Sequence, residues 1–300
     1  MTAIAKKLLI GASVIAGMSA ANPAFAASIT DTSLGGTAPS DVLLYCANGG
    51  FTEECDAPLA NILQGNSSSP GGNVELAASS EKSGFDFSKY TSLTGKVDGR
   101  DITLSSLTAS DWGGGFAQKW FGEALTANGF DSLFNSSQKT QLFNLFANYG
   151  GFQRFSDPNI SYVNRDGSTG KVSIGLAGHY QASTLLTQSI DKYIASNQLS
   201  MSQMIMANTA KSVLATKNIF ASEIVKVTYE GQTQLLYSFA PTRSGLVAKD
   251  DGLSHTGNYE VSLMGTADPQ KEVPEPTTMV GGLMALSGMF AAKRKARKKA

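Results

Sequence analysis

Strict two-residue alternation near the C-terminal third of the chain restricts the fold more than any other feature. Val225, Val227 and Tyr229 alternate with Lys226, Thr228 and Glu230, Gly231 offers a turn, and Leu235, Tyr237 and Phe239 repeat the apolar set on the return. A period of two places these side chains on one face of an antiparallel hairpin, and that face must be covered by a second layer. Leu246-Val247-Ala248, the turn Lys249-Asp250-Asp251-Gly252, and Tyr259, Val261 and Leu263 extend the pattern into a β-meander over 221–265.

The covering layer is predicted upstream, in a helical, aromatic-rich zone over 111–220. Eight of the 15 phenylalanines fall between positions 116 and 155. Phe116, Trp120, Phe121 and Leu125 share one side of a helix, and Leu142, Leu145, Phe146 and Tyr149 share one side of the next. Helical spacing favours core packing over a sugar-stacking platform. Val172, Ile174 and Leu176 alternate after the Arg165-Asp166-Gly167-Ser168 turn, predicting a second hairpin. Leu186, Ile190 and Ile194 mark a third helix, and Met201, Met204 and Ile205 a fourth whose methionines are expected to fill the core. The zone over 27–110 is rich in Ser, Thr, Gly and Asp; short strands in long loops are expected, with Gln64 to Asn73 as a flexible loop. The expected class is α+β, a helical middle packed on an antiparallel meander, in one domain over 27–265.

Both ends carry a different chemistry. Lys6 and Lys7 precede an apolar run from Leu8 to Ala20, and Ala24-Phe25-Ala26 is a small-x-small cleavage site, so 1–26 reads as a signal peptide cut between Ala26 and Ala27. The Sec translocon and signal peptidase are the partners this implies. Export places Cys46 and Cys55 in an oxidising compartment, where a disulfide-closed loop is favoured over a metal or redox site because CxxC spacing and nearby histidines are absent. At the other end, 266–272 is polar and reads as a linker. Val273-Pro274-Glu275-Pro276 is rigid, 277–292 is mostly apolar, and Lys293 to Lys299 is basic, the layout of a stop-transfer device. Sixteen residues at about 1.5 Å each reach about 24 Å, short of a hydrocarbon core of about 30 Å, so insertion through 277–292 is expected to be transient. A plain single-span tail anchor is the alternative.

Pro274-Glu275-Pro276, the glycine-containing apolar stretch and the terminal Arg/Lys cluster together resemble the PEP-CTERM sorting signal of Gram-negative bacteria, including many cyanobacteria. The resemblance covers 273–300 alone. It implies recognition by an exosortase, cleavage near Pro274 to Pro276, and passage from an inner-membrane intermediate to the cell surface, outer membrane or extracellular matrix. It also implies extracellular polysaccharide as a candidate partner and glycosylation on Ser or Thr.

Charge argues against nucleic acid as a partner. With the eight basic residues of the two ends set aside, the middle holds 16 basic against 24 acidic residues, a net of −8, which repels phosphate backbones. No GxSxG, P-loop, HExxH or dinucleotide fingerprint occurs, and Asn164-Arg165-Asp166-Gly167 lacks the acid that would complete a calcium loop. No cofactor, metal or catalytic residue is predicted. A non-enzymatic surface or matrix protein with a structural or adhesive role is the leading expectation. A carbohydrate-binding module would show exposed Trp112, Trp120 or Tyr90. A secreted hydrolase would gather His179 or His255 with carboxylates such as Asp157, Asp166 or Asp251.

Overall fold

The computed structural model describes residues 9–10, 26–148, 150–196 and 198–269. Met1–Ala267 form one compact unit, and Asp268–Ala300 a second. The sorting-signal residues Pro274, Glu275 and Pro276, the segment 277–292, the basic tail, and Ala24 lie outside the described residues, as does Tyr149.

The observed class is α+β, with the sheet dominant. Its principal strands are β1 (Ala26–Gly36), β2 (Val42–Asn48), β3 (Phe51–Glu54), β4 (Gly72–Leu76), β5 (Thr91–Val97), β6 (Arg100–Ser105), β7 (Asn159–Asp166), β8 (Lys171–Gly178), β9 (Val225–Tyr229), β10 (Gln232–Leu236) and β11 (Gly257–Met264). They pair antiparallel in the order β10-β9-β6-β5-β1-β7-β4-β2-β3, and β7 also pairs with β8, which pairs with β11. Strand β1 joins two halves: Ala26, Ala27 and Ser28 pair with β7, and Ile29 to Gly36 pair with β5. The core between the layers is aliphatic and includes Val74, Leu76, Leu93, Leu104, Ile160, Val163, Ile174, Leu176 and Val261, all at most 1% exposed. Truncating any one leucine of this set to alanine costs about 2–5 kcal/mol.

The hairpins form where the sequence places them. Arg165 pairs with Val172 and Asn164 with Ser173, and the turn closes because Asp166 accepts bonds from Ser168 N and Oγ at 2.8 and 2.6 Å while Gly170 takes a positive φ. Val225 pairs with Leu236 and Tyr229 with Gln232 around Gly231. The longer helices are α1 (Phe116–Ala127), α2 (Ser136–Asn148), α3 (Ser183–Ser196) and α4 (Met201–Ala215). A second core, aromatic, joins α1 to the sheet: Trp112, Phe116 and Trp120 pack with Leu235, Tyr237 and Phe239, and Phe146, Phe152 and Phe155 close around them.

Several expectations need correction. The zone over 27–110 supplies six of the strands above, more ordered pairing than its composition suggests. Gln64 to Asn73 is no flexible loop: Gly65-Asn66 pairs with Ser69-Pro70, and Gly72 enters β4 against Cys46. Glycine permits this because a Cβ at Gly72 would lie 2.0 Å from the Tyr45 carbonyl oxygen. Consecutive strands of 221–265 do not simply neighbour one another. Hairpin β9–β10 joins β6, β11 joins β8, and Val247-Ala248 runs parallel to Phe51-Thr52. Met201 and Ile205 are 77% and 60% exposed, so they do not fill the core; α4 buries Ala207 and Ala210 instead. Trp112 and Trp120 are 6% and 2% exposed, which removes them as a sugar-stacking platform.

The Cys46–Cys55 disulfide is formed, with Cα atoms 5.8 Å apart, and it staples hairpin β2–β3. Arg165 is fully buried in β7; its guanidinium pairs with Asp98 in the β5–β6 turn and donates to the Thr266 carbonyl at 2.6 Å. The expected linker therefore begins with an anchored residue, since Thr266 N also donates to Glu230 Oε2 at 2.9 Å.

Candidate functional site

Chain reversals at one end of the sheet bring acids together. Strand β4 reaches that end with Glu75 and Leu76, followed by Ser80 and Glu81; β7 begins there, just after Asp157 and Pro158; β8 runs out into His179; Glu223 precedes β9, and Ser254 and His255 precede β11. The register fixes this, because Asn159 pairs with both Glu75 and Ala177. These residues line a cavity of about 420 Å³ together with Tyr45, Asn159, Asp250 and Asp251.

The carboxyls are individually held. Ser80 Oγ donates to Asp157 Oδ2, and Asp157 Oδ1 has no partner. Asn159 N donates to Glu223 Oε2 at 2.9 Å and Asn159 Nδ2 reaches the same carboxylate at 3.3 Å, leaving Asn159 Oδ1 without a partner. Asp157 and Asn159 are 6% and 7% exposed. Buried polar oxygens without partners are uncommon and mark a place where something else can bind.

Burial sets the protonation states. Desolvation, reinforced by neighbouring carboxylates, holds the Asp157 and Glu223 carboxyls well above the usual range. Desolvation and then Glu81 push Glu75 up to about 7, against a bond from Tyr45. Burial also lowers the imidazoles, His255 to about 4, and His179 in the same direction. Asp251 differs: burial opposes its ionisation, but donors from Ser254 Oγ and from the backbone of Leu253 and Ser254 outweigh it and hold the carboxyl low. Asp157 and Glu223 are therefore held toward the protonated form, in which each carboxyl can donate as well as accept a hydrogen bond, while Asp251 is held toward the ionised form.

The histidines meet at the same end of the sheet. Thr52 Oγ1 lies 2.7 Å from His255 Nδ1, and Tyr45 packs edge-on at 4.8 Å. His255 adopts a φ of 63°, a left-handed conformation that non-glycine residues seldom take outside constrained sites. Ser254 Oγ lies 3.4 Å from His179 Nε2 but donates to Asp251 Oδ2 at 2.5 Å. In a Ser-His-Asp triad the acid orients the imidazole; here it holds the serine.

Of the residues singled out from sequence for a hydrolase, the fold gathers His179, His255, Asp157 and Asp251. Asp166 is spent in the β7–β8 turn. Glu75, Glu223, Ser80 and Asn159 were not anticipated. One signal was present: Glu75 interrupts the apolar stretch Val74 to Leu76, and Glu223 stands directly before the alternating strand. Ala26 and Ala27 sit in β1 opposite Asp166 and Arg165. Among the described residues no group of three or more His, Cys, Asp or Glu is arranged to hold a metal ion, and none of the helices is long and apolar enough to cross a membrane. Compared with protein-family models, curated proteins and solved structures, the chain finds no match in any of the three.

Proposed function

We propose that this is an exported protein, sorted to the cell surface or extracellular matrix for an adhesive role, whose polar cavity holds a neutral polyhydroxylated ligand such as a sugar. The observation that carries the ligand class is the pair of unpartnered buried oxygens, Asp157 Oδ1 and Asn159 Oδ1, at a cavity lined by carboxyls, hydroxyls and an amide group. Sugars are bound by such mixed donor and acceptor sets. Export rests on the leader over 1–26 and the tripartite signal over 273–300, and the Cys46–Cys55 bridge suits an oxidising compartment. The polysaccharide matrix would supply the ligand, and exosortase would release the chain.

Two measurements test the two halves. The mature protein from its host should begin at Ala27, end near Pro274 to Pro276 and lie outside the inner membrane; a chain ending at Ala300 in that membrane overturns sorting. The purified domain should bind neutral oligosaccharides on a glycan panel and lose them in Asp157→Leu. Binding confined to anionic glycans, or none, overturns the cavity reading.

A second reading has its own observation. Two interacting acids, Asp157 and Glu223, one oriented by Ser80 and the other by Asn159, form the kind of pair that can divide general-acid and general-base roles in hydrolysis. Mass spectrometry of the bound glycan separates the two: recovery intact supports binding alone, and cleaved fragments support a hydrolase.

A further inference from the structure

A second cavity adjoins the first. It is apolar, about 220 Å³, and lies among the four helices, where Trp120 of α1, Leu145 of α2, Ile190 of α3, and Ala210 and Leu214 of α4 face it. Arg154, Phe155, Leu186 and Ala221 line both cavities, so the two share a wall. An apolar space of this kind is filled favourably by hydrocarbon, which removes its lining from water. We infer that the two cavities together hold one amphipathic ligand, an alkyl chain among the helices and a neutral polyhydroxylated head in the polar cavity. The inference rests on the sugar-type reading of the polar cavity and adds the chain.

The wall accounts for the choice of head. Arg154 is the cation at the junction, and Glu81 Oε1 already holds its Nη1 at 2.8 Å. An anionic head would therefore meet one further cation, the exposed Lys82, against the carboxyl groups of Glu75, Glu81, Asp250 and Asp251. A cationic head would need ionised carboxylates at the deepest point, where Ser80 and Asn159 instead hold groups kept from ionising by burial. A hydroxyl-rich head matches the mixed lining of Ser80, Asn159, Ser254 and the carboxyls, behind which Asp157 Oδ1 and Asn159 Oδ1 are buried without partners. Phe155 and Leu186 face both spaces, so chain and head would meet between these two side chains.

Titration calorimetry of the purified domain with hexyl, octyl and decyl β-glucoside, each below its micelle concentration, tests this directly. Binding should tighten about fourfold per added methylene, or about fifteenfold from hexyl to octyl, and octanoate and octyltrimethylammonium should not compete. Ala210→Leu, which narrows the apolar cavity, should flatten the chain-length dependence while glucose oligomers bind as before. An affinity independent of chain length in the unaltered protein overturns the inference and leaves the sugar reading intact. Octanol binding as tightly as octyl glucoside shows that the head contributes nothing and overturns both, as does failure of every glucoside to bind.

Discussion

Glu75 and His255 face the same cavity and respond to pH in opposite senses. Glu75 titrates near 7 in the folded chain and near 4.5 as a free side chain, so the folded state binds the extra proton between those values and stability falls as pH rises through them. His255 titrates near 4 folded against 6.5 free; the unfolded state binds the extra proton there, and stability falls as pH drops from 6.5 toward 4. Glu75→Gln should therefore gain relative to the parent above pH 7, by an amount on the order of 3 kcal/mol at about 1.4 kcal/mol per unit, and lose that advantage below pH 4.5. Urea titrations at pH 4.5 and 8 check it; equal differences at both would show that Glu75 is not held protonated. Gly72→Ala is a steric test, because its Cβ would strike the Tyr45 carbonyl oxygen. The expected loss is about 2–4 kcal/mol by the same titration. Sequence shows that His179, His255 and Asp251 exist and are acids and bases. It does not show that they meet, because the turns that deliver them belong to strands paired across the whole chain.

Elements with their own turn chemistry were legible in advance. Hairpins β7–β8 and β9–β10 carry both alternation and a turn at Asp166–Gly170 or Gly231, and α1 carries an apolar face at helical spacing. The strands at Gly72–Leu76 and around Gly65 were hidden because their glycines serve close backbone approach, which looks in sequence like looseness. Helix α4 misled in the other direction: Met201 and Ile205 face outward, and Ala207 and Ala210 face in. The β2–β3 staple gives a prediction at this scale. Cys46 and Cys55 are nine positions apart, and closing a loop of that size restricts the unfolded chain by about 2–3 kcal/mol. A Cys46→Ser and Cys55→Ser double variant should melt roughly 5–10 °C lower, while reductant should leave its melting unchanged and lower that of the parent.

At the level of the molecule, α+β was readable from the sum of patterns, whereas strand order was not. Local alternation says that a segment is a strand; which strand it joins is decided by contacts distant in sequence, such as Lys171 with Met264 or Asn164 with Ser28. Arg165 sits where those distant pieces meet, tying β7 to the β5–β6 turn and to Thr266. Arg165→Leu leaves the half-exposed Asp98 unpaired and the Thr266 carbonyl without this donor and should cost about 1–3 kcal/mol, seen as one cooperative transition shifted downward for the whole compact unit. Separate transitions for the two halves of the sheet would show that Arg165 does not couple them.

Strand β1 has a consequence for timing. Its two partners, β5 and β7, start more than 60 and more than 130 residues later in the chain. For a protein threaded through a translocon from its N-terminus, β1 is delivered early, yet its first residues, Ala26 to Ser28, have nothing to pair with until β7 has crossed. Closing such distant contacts is slow, and under the proposed export that delay would keep the Ala26–Ala27 bond, which in the finished sheet lies opposite Asp166 and Arg165, within reach of a peptidase. Folding and leader removal would thus be ordered by the position of one strand: the cut comes first, and the sheet closes over the new end.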